Sequence, residues 1–345
     1  MSFLPVFELT RGGLVESRHL GAIAVADVQG RLVASCGDPR AVAFLRSSAK
    51  PFQALPLVES GAAHAYGFTP RELALACASH HGLDMHAQTV LAMQQKAGVS
   101  ESDLLCGTHP LDDSATVKRL HQAGLEPTPN RHNCSGKHTG MLAQARHRGL
   151  PVADYVNPQH GVQQSILAAL AEMCGLAPQD VIVGIDGCSA PNFAVPLLNA
   201  ATAFARLADP AGLPAARALA LRTIFAALTS HPDMVSAPGH FDTELMHVRP
   251  GVIASKGGAE GYHGLAIARG ALGPDSPALG VALKIADGAG RAAGPVALEV
   301  LRQLGALGEV ELQALAALGF GPRGSSKNWR SLVVGEVRTC FELQR

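Results

Sequence analysis

Strand-like and helix-like patterns are segregated along this chain, and that segregation narrows the folds open to it. Gly21–Val28 and Arg31–Ser35 are apolar runs joined through Asp27-Val28-Gln29-Gly30, a hairpin signal with glycine at the turn. Apart from Val181–Ile185, strand character returns only at Val252–Ser255, Gly261–Ala268, Leu279–Ala286 and an alternating tail, Ser331–Phe341. Between these ends the pattern is helical. Thr69-Pro70-Arg71-Glu72 combines an N-cap, a proline at the first helical position and a capping-box glutamate, which predicts a helix to about Ala78. Asp84 is expected to cap a second helix through about Lys96. Further helices are expected at Ser114–Ala123, Thr139–Arg148, Gly161–Cys174, Pro196–Leu207, Pro214–Thr229, Pro295–Leu304 and Glu309–Leu318. Strands at both ends with helices between predict an α+β fold, with a central antiparallel sheet in which the N- and C-terminal strands are neighbours. Residues 1–45 and 250–345 should be sheet-rich and 46–249 mainly helical, within one catalytic unit spanning 1–345.

Charge and composition exclude several functions. Lys plus Arg and Asp plus Glu are each 28, so the formal net charge is zero. A chain without basic excess is a poor phosphate-backbone or anionic-membrane binder, so neither nucleic acid nor a membrane is an expected partner. No stretch of about 18 consecutive apolar residues occurs. The N-terminus also lacks a basic segment followed by an apolar run, so a soluble, cytoplasmic protein is expected. Seven scattered cysteines, with no C-x-x-C pair, argue for thiols rather than a disulfide framework or a zinc ribbon. Gly257-Gly258 follows a strand, but its spacing suits neither a dinucleotide fingerprint nor a phosphate-binding loop, so no organic cofactor is expected.

Three separated segments carry candidate chemistry. Ser47 and Lys50 form S-x-x-K; on a helix, residues three apart share a face, and a serine needs a base beside it to attack at neutral pH. The same pattern also describes a solvated helix start. Ser79, in Cys77-Ala78-Ser79-His80-His81-Gly82, could relay a proton, and equally could be part of a helix C-terminus with solvated histidines. Lys256, followed by Gly257 and Gly258 at a strand end, allows close approach of a substrate or another backbone; an exposed turn reads the same way. In order, S-x-x-K, a serine loop and a strand-borne K-T/S-G are the signature of serine β-lactamases, penicillin-binding proteins and glutaminases. Gly257 stands here where Thr or Ser is usual, and the gap from Ser47 to Ser79 is short for a β-lactamase.

Two further clusters complete the set: Asn133-Cys134-Ser135-Gly136-Lys137-His138 before a helix, and Asp186-Gly187-Cys188 after a strand. With the segments LTRGGLVES, RSSAKPFQ, ASHHG, NCSGKHTGM, DGCSAPNF and SKGGAEG, nearly the whole chain resembles bacterial L-asparaginases of the Rhizobium etli inducible, thermolabile type. The resemblance implies a serine β-lactamase/glutaminase-like fold. It also implies hydrolysis of L-asparagine to L-aspartate and ammonia through a covalent acyl-enzyme. Ser47 matches the nucleophile and Lys50 its base, with Ser79 and Lys256 as a second Ser–Lys pair. Arg46, His81, Asn133 and Asp186 are the expected substrate-binding residues. A zinc ion held by Cys134, Lys137 and Cys188 is implied as well, and a homodimer is the default assembly for such an enzyme.

A lysine amine is an unusual zinc ligand, and it must be neutral to bind. Cys134 and Lys137 are one turn apart, Cys188 comes from a distant loop, and His138 is the local competitor as a ligand. Two free thiols beside a paired lysine would read the same. The alternatives to an asparaginase are a related serine amidase, glutaminase or β-lactamase-like, and a non-catalytic amino-acid-binding protein. Asparagine and glutamine differ by one methylene, worth about 1–3 kcal/mol of discrimination, which no motif reveals.

Overall fold

Gly12 and Gly13, at φ of 52° and 84°, reverse the chain between the strands Leu4–Arg11 and Leu14–Asp27. Both values lie in the left-handed region that a tight hairpin turn requires and that glycine enters without steric cost. This hairpin sits in the larger sheet of the computed structural model, which describes residues 3–345. The chain divides into two compact units. One runs to Ser48 and adds Val195–Asp209 and Glu244–Arg345; the other is Ala49–Ala194 with Pro210–Thr243.

The first unit is built on an eight-stranded sheet. Its order is Arg323–Lys327, Val333–Thr339, Leu4–Arg11, Leu14–Asp27, Leu279–Ile285, Tyr262–Ile267 and Ile253–Gly258, with Leu32–Cys36 pairing Leu14–Asp27. Each pairing in the sheet is antiparallel, and Phe7 lies opposite Thr339, so the strands from the two ends of the sequence are neighbours. Ala22 to Ala26 are fully buried, as expected for the middle of a strand covered on both faces. The Leu197–Ala208 helix covers one face, and belongs with this sheet although it falls in the stretch expected to be mainly helical. Its approach is very close. A Cβ added at Gly280 would lie 1.9 Å from the Ala201 carbonyl oxygen, and one at Gly264 would lie 2.0 Å from the Phe204 ring. Glycines on the strands let the helix's Ala201 and Phe204 pack closely, in a chain with 4% aromatics.

The second unit is helical, with a hairpin made by Ile182–Ile185 and the residues from Pro191 onward. Thr69 caps the Pro70–Ala76 helix with the expected reciprocal pair: its hydroxyl accepts from the Glu72 amide, and the Glu72 carboxylate accepts from the Thr69 amide at 2.7 Å. The Ser135–His147 helix packs on this one, and Gly136 sets the contact, since a Cβ there would fall 2.3 Å from the Leu75 carbonyl oxygen.

Several element boundaries differ from the sequence reading. The helix expected from Thr139 starts at Ser135, because Gly136 and Gly140 weaken the local helical signal while meeting a packing need. Asp84 is the first helical residue rather than the cap; His86 Nδ1 accepts the Leu83 amide instead, at 3.2 Å. The helix expected from Pro295 starts at Gly290 with the proline inside, held by its buried Ala292, Ala293, Val296 and Ala297 face. The tail forms two strands, Arg323–Lys327 and Val333–Thr339.

Candidate active site

In the second unit, Lys50 opens the Lys50–Gln53 helix and is 1% exposed. Its Nζ donates to the Ala78 carbonyl, to Ser79 Oγ at 2.9 Å and to the Asn133 carbonyl at 3.3 Å. Ser79 lies three residues past the Pro70–Ala76 helix, and its amide donates to the Val235 carbonyl at 2.9 Å. Three predicted site residues, Lys50, Ser79 and Asn133, are therefore brought together, and Asn133 takes part through its backbone carbonyl. The amine bonded to Ser79 is that of Lys50.

His80 and His81 flank this serine in different ways. His80 is buried; its Nδ1 accepts from the Gly82 amide at 3.1 Å, and its Nε2 lies 2.9 Å from Ser135 Oγ. Ser135 Oγ in turn donates to the Asn130 carbonyl, so Nε2 is the donor in that pair. His81 stacks on His240 with ring centroids 3.6 Å apart, and its Nε2 lies 3.2 Å from Ser236 Oγ. Its Nδ1 is 3.8 Å from the Asp112 carboxylate. Ser236, His240 and Asp112 were invisible to spacing arguments, since more than thirty residues separate each from His81 and no local motif marks them.

These buried imidazoles make the site acid-sensitive. Burial holds His80 far below its ordinary titration range, aided by the charges of His86 and Lys50, and burial likewise brings His86 down to about 4. Each uses a ring lone pair to satisfy a backbone amide, which only the neutral form can do. The folded state thus prefers neutral rings, so their stabilisation is present above pH 6.5 and is lost as pH falls toward 4. The urea midpoint should fall through that window, with a slope of up to about 1.4 kcal/mol per pH unit for each histidine. A flat stability profile from pH 7 to 5, or an unchanged slope in His86→Gln, would count against this.

Cys134, Lys137 and Cys188 also converge in the second unit. Lys137 Nζ donates to Cys188 Sγ at 3.0 Å, and all three side chains are buried. Hydrogen bonding with Cys188 drives the Cys134 thiol well below its ordinary range, against burial and with help from Lys50 and Lys137. Burial pushes Lys137 down, but the sulfurs of Cys188 and Cys134 outweigh it and raise the amine. Cys106 behaves oppositely: burial, with the two sulfurs, lifts it to about 12. Asp186 belongs to the same turn as Cys188, and its Oδ1 accepts the Gly187 amide at 2.8 Å. Among the described residues no group of three or more His, Cys, Asp or Glu is arranged to hold a metal ion. Two sulfurs and one amine are nevertheless donors that zinc accepts, and their mutual contact is what a metal in their midst would replace.

In the first unit, Ser47 and Ser48 have separate fates. Arg46, at φ 51°, holds a left-handed conformation that costs a non-glycine residue of order 1–3 kcal/mol, and it launches the Arg46–Ala49 turn of 3₁₀ helix. Ser48 is fully buried and its Oγ donates to the Lys256 carbonyl at 2.7 Å. Ser47 is only partly buried, so it is the serine of the pair not consumed by packing. Lys256 is 2% exposed on the Ile253–Gly258 strand, and its Nζ donates to the Gly257 carbonyl at 2.7 Å. Gly258 explains the glycine-rich strand end: a Cβ there would sit 2.6 Å from the Leu45 carbonyl oxygen and 3.0 Å from Ser48 Oγ. Gly258→Ala should therefore displace the Leu45–Ser48 turn. Where such a turn carries a catalytic group, a misplacement near 1 Å costs roughly 10²-fold in rate, so kcat/KM is expected to fall by about that much. Wild-type kinetics in a folded Gly258→Ala protein would show that the turn is not held by this contact.

Among solved structures, the chain is similar to Mglu in its native form in 4.3 M NaCl, at 14% identity and a TM-score of 0.41. That similarity covers 82% of this chain and 60% of the Mglu chain, so the chain spans less than two thirds of it. It is also similar to a probable glutaminase from Bacillus subtilis complexed with 6-diazo-5-oxo-L-norleucine, at 10% identity and a TM-score of 0.40, covering 82% of this chain and 84% of that one. No curated protein matches the chain by sequence. The sequence pattern that describes L-asparaginase II matches residues 7–339, from the first strand of the sheet to the last, and the chain therefore belongs to the L-asparaginase II family.

Proposed function

We propose that this protein is an amidohydrolase that converts L-asparagine to L-aspartate and ammonia through an acyl-enzyme on Ser47. The observation that carries the reading is Lys50: three residues after Ser47, its buried amine is bonded to the hydroxyl of Ser79, in a chain of the L-asparaginase II family. Ser47 Oγ attacks the side-chain amide carbon while Lys50 takes its proton. The tetrahedral intermediate collapses, the C–N bond breaks, and the leaving nitrogen is protonated through Ser79 to depart as ammonia. Water then attacks the ester, and the same groups run in reverse to release aspartate. Arg46, His81 and Asp186 supply charge and hydrogen bonds for a small zwitterionic substrate. Ammonia release from asparagine, glutamine and a chromogenic lactam tests the assignment in one assay. Turnover of asparagine above the other two is expected; turnover of glutamine or the lactam instead moves the chain to another serine amidase, and none at all makes it a binding protein.

We propose further that Cys134, Lys137 and Cys188 hold zinc, which would supply a fixed positive charge for the substrate's carboxylate end rather than a nucleophile. Ser47 with Lys50 already provides attack, so loss of the metal should raise KM more than it lowers kcat, the mark of lost uniform binding. Cys134→Ser and Cys188→Ser should behave alike, because each removes one ligand of a single site. Metal content by mass spectrometry alongside kinetics decides: a metal-free wild type, or unlike kinetics for the two variants, leaves these as ordinary thiols. No helix among the described residues is long and apolar enough to cross a membrane. The seven cysteines are in no disulfide, the state expected of thiols in a reducing cytoplasm. A cytoplasmic homodimer is the assembly we propose, to be checked by sedimentation.

A further inference from the structure

His109 is half-buried in the irregular segment before the Ser114–Gln122 helix. Its Nε2 accepts the Asn133 amide at 2.9 Å, and its Nδ1 lies 2.6 Å from the Pro110 carbonyl oxygen. A backbone N–H can only donate and a carbonyl can only accept. The two contacts therefore leave one assignment, a neutral ring with its hydrogen on Nδ1 and its lone pair on Nε2. The opposite tautomer would set N–H against N–H and lone pair against lone pair. The following peptide is held in the same manner. The Asn133 carbonyl and the Cys134 amide are the two ends of one planar unit, so fixing one end aims the other. The amide end donates to His132 Nδ1 at 3.0 Å, and the carbonyl end accepts from Lys50 Nζ at 3.3 Å. Both N–H groups flanking the Asn133 α-carbon thus rest on imidazole lone pairs. His132 closes a turn within its own segment, whereas His109 reaches Asn133 from 24 positions away.

We propose that His109 is a positioning residue for Lys50: by taking the Asn133 amide on Nε2, it holds the Asn133 carbonyl where the lysine amine meets it. The other two acceptors of that amine, the Ala78 carbonyl and Ser79 Oγ, belong to adjacent residues of one segment. Two anchors on one segment let the end of a long, flexible stem pivot about them. The Asn133 carbonyl comes from a different segment and closes the set, so the amine is fixed in its approach to Ser79. A carbonyl that drifts frees the amine to drift with it. The task His109 performs is narrow: it offers an acceptor to one backbone N–H. An imidazole lone pair or a side-chain amide oxygen can do this, and an apolar ring cannot. The arrangement is a property of the free protein; only its kinetic readout rests on the amidase reading above.

The test begins with nitrogen NMR of the uniformly ¹⁵N-labelled wild type. A neutral His109 ring protonated at Nδ1 is expected, with a scalar coupling across the hydrogen bond between the Asn133 amide nitrogen and Nε2. The Lys50 Nζ signal, identified by its loss in Lys50→Met, should shift in His109→Phe, which keeps an aromatic ring but offers no acceptor. It should return toward its wild-type position in His109→Gln, whose side-chain oxygen can take the same amide. Kinetics of the folded variants should follow the same order. His109→Phe should lower kcat by up to about 10²-fold, the scale of a misplacement near 1 Å, with KM little changed. His109→Gln should recover most of that loss. A merely structural role would lower the urea midpoint of His109→Phe and leave kcat and the Lys50 signal of the folded protein where they were. A ring protonated at Nε2, no coupling to Asn133, a Lys50 signal indifferent to His109→Phe, or equal impairment of the two variants would each overturn the proposal. Should the wild type hydrolyse no amide, the amidase reading falls, while the coupling and the Lys50 signal still decide the role of His109.

Discussion

Replacing Ser47 with alanine is expected to reduce kcat by on the order of 10⁴- to 10⁶-fold, the range seen when a nucleophile that works as part of a unit is removed. The fold should survive, because Ser47 is only partly buried and one hydroxyl is lost. Ser48 supplies the contrast. Its Oγ is fully buried and donates to the Lys256 carbonyl at 2.7 Å, so Ser48→Ala removes that buried hydrogen bond. The cost should be about 1–3 kcal/mol of stability, read as a lower urea midpoint. Activity in Ser48→Ala should change far less than in Ser47→Ala. Mass spectrometry of the wild type quenched during turnover should find an acyl adduct on the peptide carrying Ser47, absent from Ser47→Ala. Substantial turnover by Ser47→Ala, or an adduct mapped to Ser48 or Ser79, would end the mechanism.

What could be read from the sequence was governed by how local the determining physics is. The Thr69–Glu72 box is complete within four residues, and the helix it opens runs Pro70–Ala76, with its start as expected and its end two residues short of Ala78. The neighbouring of the first and last strands followed from where strand character sits, and Phe7 opposite Thr339 realises it. The Leu4–Arg11 strand was not singled out, although Gly12-Gly13 offered a hairpin signal, because its Pro5 and mixed polar pattern hid the period of two. The Pro191–Pro196 strand is bounded by prolines at both ends and was hidden for a similar reason. At the site, Lys50 and Ser79 were named from motifs, but their mutual bond joins segments 29 positions apart and needed the fold. Gly258 shows the limit most plainly. The expectation that another backbone approaches the strand end was right in kind, but the partner, Leu45, cannot be read from K-G-G. The cluster of Cys134, Lys137 and Cys188 came from resemblance, and the contact of His138 with Tyr155, 17 positions away, could not be read from spacing.

Lys50 should prove as indispensable as the nucleophile, and two unlike substitutions are needed to show why. Lys50→Arg keeps a cation, but a guanidinium does not lose its proton at any working pH, so it cannot accept one from Ser47. It must also fit a larger fork among Ala78, Ser79 and Asn133, where Lys50 is 1% exposed. Lys50→Met keeps the apolar stem and removes the amine, leaving the Ala78 and Asn133 carbonyls and Ser79 Oγ without this donor. That should cost about 1–3 kcal/mol of stability for each buried group left unpaired. Both variants should lose 10³-fold or more in kcat/KM by the scale of general-base and nucleophile-activation effects. Because one errs toward crowding and the other toward a missing donor, a shared loss of rate in folded protein points to proton transfer rather than to either packing defect. Ser79→Ala separates the remaining roles. It leaves Lys50 its two carbonyl partners but removes the hydroxyl proposed to protonate the leaving nitrogen, so kcat/KM should fall by about 10²–10⁴-fold. If Lys50 and Ser79 act as one relay, the double variant Lys50→Met/Ser79→Ala should be hardly worse than Lys50→Met alone. Additive losses would mean that the two serve separate steps, and a Lys50→Arg enzyme with near-normal turnover would remove Lys50 from the role of base.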